Sequence, residues 1–214
     1  MHKKIIMACM AIVAFAAFAA SSASAAQLKE GTTGATLGVG ASVLGTNVGT
    51  TTFTAGELTV TCTTATMGGT ITADANGTIA AEITTPPSSK APHFTGTGTN
   101  SDCTSPLGSV KPTVTSDLCL HLPANTDIGS VTGCGLPVKF SLNVTGVITC
   151  NYSTNSVAGE IDTHTAATPV DARITISEAP ATEEGGKFLC PDTGKLDMKF
   201  ELTTTGGTTL VFLP

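Results

Sequence analysis

Lys195-Leu196-Asp197-Met198-Lys199-Phe200-Glu201-Leu202 is the stretch that decides the fold class. Every even position is apolar and every odd position is charged. Successive side chains of an extended strand point to opposite faces. This period of two therefore puts Leu196, Met198, Phe200 and Leu202 on one buried face, and Lys195, Asp197, Lys199 and Glu201 in water. A strand with one wet face belongs to an antiparallel sheet. The same alternation returns in Val138-Lys139-Phe140-Ser141-Leu142-Asn143-Val144. It recurs more briefly at Leu58, Val60 and Cys62, at Ile79, Ala81 and Ile83, and at Ile174 and Ile176.

Turn signals separate these runs: Gly68-Gly69, Asn76-Gly77, Pro86-Pro87, Gly133 through Pro137, Gly185-Gly186 and Gly206-Gly207. Asp74-Ala75-Asn76-Gly77, between Ile71 and Ile79, reads as a hairpin loop because Asn-Gly tolerates positive φ. Nothing beyond residue 26 has helical periodicity. The expectation is an all-β fold, an antiparallel β-sandwich of about a dozen short strands.

Composition agrees. The 214 residues include 40 Thr and 23 Gly, a single Tyr and no Trp, and only 12% are charged. Thr, Val and Ile are stiff at χ1 and suit a pleated surface. A net charge of -6 argues against nucleic acid as a partner, which calls for basic patches. The shortage of aromatic faces weakens carbohydrate recognition.

The N-terminus reads as an export signal. Met1-His2-Lys3-Lys4 is a short basic region, residues 5–20 are uncharged and apolar, and Ala23-Ser24-Ala25 offers small residues where a signal peptidase reads. The expectation is a signal peptide over residues 1–25 and one β-sandwich domain over 26–214, secreted to the extracellular space or cell surface. Cys9 leaves with the signal. No later apolar run is long enough for a transmembrane helix.

Six cysteines remain, an even count suited to an oxidising compartment. Cys62 and Cys103 frame one segment, and Cys150 and Cys190 frame another of nearly equal length. Both frames read Cys, Gly-x-Ile (Gly69-Thr70-Ile71; Gly159-Glu160-Ile161), an alternating strand, Cys, Gly-x-apolar, strand. This suggests a duplicated unit with halves 50–118 and 138–205, each closed by its own bridge. Cys119 and Cys134 would then pair across the connection. Other connectivities stay open. A zinc site wants closely spaced C-x-x-C pairs, and none exists, so no metal or cofactor is expected.

Few residues suggest chemistry. Glu160, Asp162 and His164 alternate on one strand and would line one face, but the plainer reading is a solvated face opposite Ile161. Ser116, Asp117 and His121 are close in sequence, yet lack the G-x-S-x-G elbow or a comparable frame for a nucleophile. Gly96-Thr97-Gly98 precedes no helix and is no dinucleotide loop. Glu183-Glu184-Gly185-Gly186 reads as an exposed loop. Asn76, Asn143 and Asn151 begin N-x-[ST] triplets, which matter only in a glycosylating host. No catalytic residue is assigned.

Gly45-Thr46-Asn47-Val48-Gly49 through Cys62, Ser101-Asp102-Cys103, Cys150-Asn151-Tyr152-Ser153, and Phe188-Leu189-Cys190-Pro191 with Lys195-Leu196-Asp197-Met198 resemble a group of uncharacterised secreted bacterial proteins, Thr/Gly-rich and all-β. More loosely, the alternation is similar to small exported proteins labelled activators of alkane oxidation. The resemblance implies secretion and a β fold and transfers no catalytic residue.

The functional expectation is a non-enzymatic secreted or cell-surface β protein, structural or adhesive. The alternative is an extracellular binder of a small apolar ligand with a pocket between the sheets. The uncharged stretch from Ala35 to Val48 is either an ordinary first strand or a segment for self-association at a neighbour's sheet edge.

Overall fold

The computed structural model describes residues 27–75, 78–83, 93–97, 102–122, 128–134, 137–162 and 171–213. Residues 1–25, where the sequence leads one to expect an export signal, lie outside the described residues, as do His164, Asn76-Gly77 and Pro86-Pro87. Seventeen strands follow in chain order: β1 (Gln27–Glu30), β2 (Ser42–Asn47), β3 (Thr51–Ala55), β4 (Leu58–Cys62), β5 (Thr64–Ala75), β6 (Thr78–Ile83), β7 (His93–Thr95), β8 (Cys103–Ser105) and β9 (Gly108–Val114), then β10 (Leu118–Leu122), β11 (Ile128–Gly133), β12 (Val138–Val144), β13 (Ile148–Thr154), β14 (Val157–Ile161), β15 (Arg173–Glu183), β16 (Thr193–Thr204) and β17 (Leu210–Leu213). Every strand pairing among them is antiparallel.

The all-β expectation holds, but the sandwich does not. Hydrogen-bonded neighbours run β2-β16-β15-β14-β11-β10-β6-β5 and return to β2, which closes an eight-stranded barrel. A second circuit, β16-β3-β4-β8-β9-β12-β13-β15, closes on the other half of the same two strands. Alternation along one strand reports that one face is buried. It cannot report whether the sheet closes on itself, because closure depends on which distant strands share an edge.

The two long strands make this possible. β15 and β16 pair from Arg173↔Glu201 to Thr182↔Thr193. The outer edge of β16 takes β3 at Lys195 to Asp197 and β2 at Phe200 to Thr204. The outer edge of β15 takes β14 at Ile174 and Thr175, then β13 at Thr182 and Glu183. Where the partners change, β15 carries a bulge between Ile176 and Ala179. Glu178 sits there at φ 50, its N–H donating to Asp197 Oδ1 at 2.8 Å and its carboxylate facing Lys195 Nζ at 3.1 Å. Bulges bend a strand and sharpen its twist, which is what a wall shared by two rings requires.

The period-two reading of β16 is correct in detail. Met198, Phe200 and Leu202 are buried and Leu196 is half-buried. The polar face pairs across the strands: Arg173 with Glu201 at 3.2 Å, and Lys199 with Asp162 at 3.6 Å.

Gly68-Gly69 is not a turn. Both glycines lie buried inside β5, opposite Leu44 and Val43 of β2. Glycine within a strand marks close approach or a barrel corner as readily as a chain reversal. β5 and β6 pair antiparallel up to Ala75↔Thr78. Residues 42–47 form an internal strand, with β16 on one edge of β2 and β5 on the other.

Three disulfides join Cys62–Cys103, Cys119–Cys134 and Cys150–Cys190, the pairs that the two equal frames favour. Around the first ring, β5 and β6 stand half a turn from β14 and β15. A separate ribbon, β1 with β17, covers one end of that ring. Its Leu28, Leu210 and Phe212 pack on Val43, Ile71 and Leu202.

Phe200 is buried and Lys199 is a half-exposed ion-pair partner on the opposite face. Phe200→Ala should lower the unfolding free energy by about 3–5 kcal/mol, and Lys199→Ala by no more than about 0.5 kcal/mol. Denaturant titration of the disulfide-intact variants reads both; equal losses would contradict the register.

Candidate ligand cavity

The inward faces of both circuits leave one continuous apolar cavity of about 140 Å³. Val43, Met67, Ile71 and Phe200 line it from the first ring, and Phe53 and Phe140 from the second. Two glycines help to open it: Gly45 on β2 and Gly69 on β5 present bare backbone where neighbours carry side chains. Drug-sized pockets usually hold about 300–1,000 Å³. This cavity is closer to the void of about 150 Å³, lined by Leu, Ile and Phe, that stays dry and takes up benzene in another protein.

An aromatic cluster forms the wall on the side of the second ring. Phe53 meets Phe140 edge-on at 5.4 Å and Tyr152 at 4.7 Å, and Tyr152 stacks on Phe140 at 5.6 Å. These are favoured aromatic geometries. Gly194 of β16 makes room for the cluster, since a Cβ there would run into the Phe53 ring. Tyr152 backs the wall with its body buried and its hydroxyl donating to the Pro191 carbonyl at 3.1 Å. The Cys62–Cys103 and Cys150–Cys190 bridges lie in the same core.

Thr51 opens β3 and shares its inward face with Phe53 and Ala55. Thr51 lines the cavity, while its hydroxyl oxygen is itself sealed and has no hydrogen-bond partner. Sequence reading missed it among 40 threonines. The available signal was its phase in Thr51-Thr52-Phe53-Thr54-Ala55, which puts it on the side of Phe53.

The residues singled out for chemistry are scattered. Glu160 is exposed on β14, Asp162 is committed to Lys199, and His164 lies outside the described residues. Ser116 Oγ accepts from the Lys139 N–H at 2.9 Å, while His121 is exposed on β10. Gly96 packs tightly against the backbone of Asp102 and Cys103, and Gly98 lies outside the described residues. Glu183 Oε2 accepts from the Gly186 N–H at 2.7 Å. The carboxyl of Glu184 is held below its usual range by hydrogen bonds from Lys139 and Ser153. Asn143 is exposed and donates to Thr149 Oγ1 at 2.9 Å. Among the described residues no group of three His, Cys, Asp or Glu is placed to hold a metal ion, and no helix is long and apolar enough to cross a membrane.

A second feature lies at one end of the second ring. The β8–β9 hairpin closes at Ser105↔Gly108 and the β12–β13 hairpin at Val144↔Ile148. They are neighbours through Val144↔Val110. The β15–β16 connection joins them, because Lys187 Nζ donates to the Thr149 carbonyl at 2.6 Å. The tips carry Leu107, Val147, Phe188 and Leu189, each at least half exposed, with Phe188 at 100%.

Comparison with protein-family models, curated proteins and solved structures finds no match to this chain. The resemblance to secreted Thr/Gly-rich proteins therefore rests on its sequence motifs alone.

Tyr152 is the only tyrosine and there is no tryptophan, so its ionisation can be followed cleanly by ultraviolet absorbance. Burial, then the charges of Glu183 and Asp192, push its pKa from 10.0 up to about 12. The folded state holds the phenolic proton more tightly than the unfolded chain. The corresponding stability is complete below pH 10.0 and is lost as the pH rises to about 12. A rapid pH jump should show phenolate appearing near pH 12 in the native protein and near pH 10 in denaturant. Coincident curves would contradict the buried wall.

Proposed function

We propose that this protein is an exported, non-enzymatic β-barrel protein that holds a small apolar molecule in its interior. The cavity carries this reading. It is almost wholly apolar, lined by the strands of two closed circuits, and of a size that suits one aromatic ring or a short hydrocarbon. Export is supported by the leader-like N-terminus and by three disulfides, which suit an oxidising compartment. The non-enzymatic reading is supported by the dispersal of Ser116, His121, Glu160 and Asp162, with Ser116 engaged by the Lys139 N–H, Asp162 by Lys199, and His121 and Glu160 exposed on different strands. This reading takes up the alternative of the sequence analysis, with the pocket inside a barrel and not between two sheets.

A second reading, a contact or adhesive role, is favoured by the apolar loop tips. Contiguous exposed apolar groups mark interaction surfaces. These tips are a better contact surface than the strand between Ala35 and Val48. Self-association through that strand would require β2 to leave both β16 and β5.

Toluene is the direct probe of the first reading. At ten times its Kd it should stabilise the native state by about 1.4 kcal/mol, raising Tm by about 3–6 °C. A sugar at the same concentration should leave Tm unchanged. No shift in toluene-saturated buffer would reject the cavity as a ligand site. For the second reading, Phe188→Ser with Leu189→Ser should markedly reduce retention on a hydrophobic-interaction column without lowering Tm. Unchanged retention would reject the tips as a contact surface.

A further inference from the structure

Gly45 is a strand glycine that the fold itself does not require. Glycine inside a strand marks a bulge, a tight bend, or a close approach by another backbone or by a ligand. β2 pairs with β16 from Val43 to Asn47 and with β5 from Ser42 to Thr46, both without a register shift, so the ladder has no bulge or break at Gly45. Its backbone lies outside the left-handed region that favours glycine. The nearest atoms to a Cβ placed there are side-chain carbons: Met67 Cγ at 3.4 Å, Phe200 Cδ1 at 3.5 Å and Leu202 Cδ2 at 3.6 Å. These are ordinary contact distances. Two other strand glycines differ. At Gly194 a Cβ would run into the Phe53 ring, and at Gly159 it would press on Ile174 and the Thr175 carbonyl. At position 45 an alanine fits, and alanine is the more stable residue inside a strand.

What glycine leaves is a gap the size of one methyl group. Met67 and Leu202 are its cross-strand partners on the two edges of β2, and Phe200 shares the inward face of β16 with Leu202. All four residues line the cavity, so the gap is a recess in its wall. The cavity surface is almost entirely apolar. A polar atom moved there from water would lose its hydrogen bonds without replacement. The guest that fits is therefore a hydrocarbon, and the main void suits one aromatic ring.

We propose that Gly45 is the specificity-determining residue of the cavity, and that its recess receives the alkyl substituent of an aromatic hydrocarbon whose ring fills the main void. This rests on the reading of the cavity as a ligand site and adds the class of ligand and the residue that sets it. A methyl group on the guest or on residue 45 can fill the recess, but not both. One methylene more or less in an apolar pocket changes binding by about 10–200-fold. Adding a methyl to residue 45 should therefore exchange one preference for the other.

Toluene and benzene differ by that one methyl. Their Kd values are measured by methyl NMR titration on the full, disulfide-intact protein and on Gly45→Ala. The parent should bind toluene more tightly than benzene. In Gly45→Ala the ratio of the two Kd values should shift about tenfold toward benzene. Without ligand, Gly45→Ala should melt no lower than the parent, because the new methyl fills the recess and restricts the unfolded chain. An unchanged ratio, or a parent that prefers benzene, would overturn the assignment while leaving the cavity intact as a site. So would a lower Tm or a failure to fold in Gly45→Ala, since either would show that the fold requires this glycine. If the parent binds neither ligand, the cavity reading and the assignment fall together. The parent alone supplies an independent measurement. NOEs from the toluene methyl to the Gly45 Hα protons support the recess, and toluene-methyl NOEs confined to other residues overturn it.

Discussion

The ladder between β15 and β16 is the constraint on which the rest of the molecule depends. Each strand has two edges, and the pair uses one edge of each on the other. The two remaining edges are long enough to serve two sets of neighbours, β14 and β2 toward one end and β13 and β3 toward the other. Closing each set on itself gives two circuits on one shared wall and pairs both edges of the strands within them, with β7 and the β1–β17 ribbon left outside the circuits. The bulge at Ser177 and Glu178 marks the change of partner. Asp197 fixes it from the polar side by accepting the Glu178 N–H.

A shared wall also explains why the interior is one space. The inward face of β16 contributes Leu196, Met198, Phe200 and Leu202 in sequence to both rings, with no polar layer to divide them. The second ring is filled by the Phe53, Phe140 and Tyr152 cluster and by two disulfides. The end of the first ring is filled by the β1–β17 ribbon. Between these two plugs, glycines at 45 and 69 replace what could have been side chains, and the cavity lies there. The void is thus a consequence of which residues are missing from an otherwise packed interior.

Much of this was legible in the sequence. The phase of β16 and of Val138–Val144 could be read because their alternation is unbroken, and period two has one structural meaning. Two frames of nearly equal length favoured the bridges that are present, while leaving other connectivities open. β5 and β6 do stand half a turn from β14 and β15, as a duplicated unit would place them. The strands after Cys103 and Cys190 break the match: β9 belongs to the second circuit, whereas β16 belongs to both. Barrel closure was not legible, because strand edges carry no sequence mark of their distant partners. Gly68-Gly69 misled for a related reason, since a glycine pair looks the same in a turn and at a barrel corner. Thr51 was hidden by composition. In a chain where threonine fills outward positions everywhere, only its phase relative to Phe53 shows that it faces in.

Unfilled volume weakens a core, and this one is matched by covalent closure. At about 24 cal/mol per Å³, a void of about 140 Å³ forgoes about 3 kcal/mol of packing. In the chain-entropy picture each bridge stabilises by about 3–4 kcal/mol. Their loops, with sequence separations of 41, 15 and 40, follow one another without overlap, so each restrains a different part of the unfolded chain. One bridge is enough to offset the cavity. The two bridges of the second ring also lie in the core behind the aromatic wall, where they hold that wall in place whether or not the cavity is occupied. An interior with a void of this size has less packing of its own to keep it rigid. The disulfides supply that rigidity, and they are compatible with an oxidising environment.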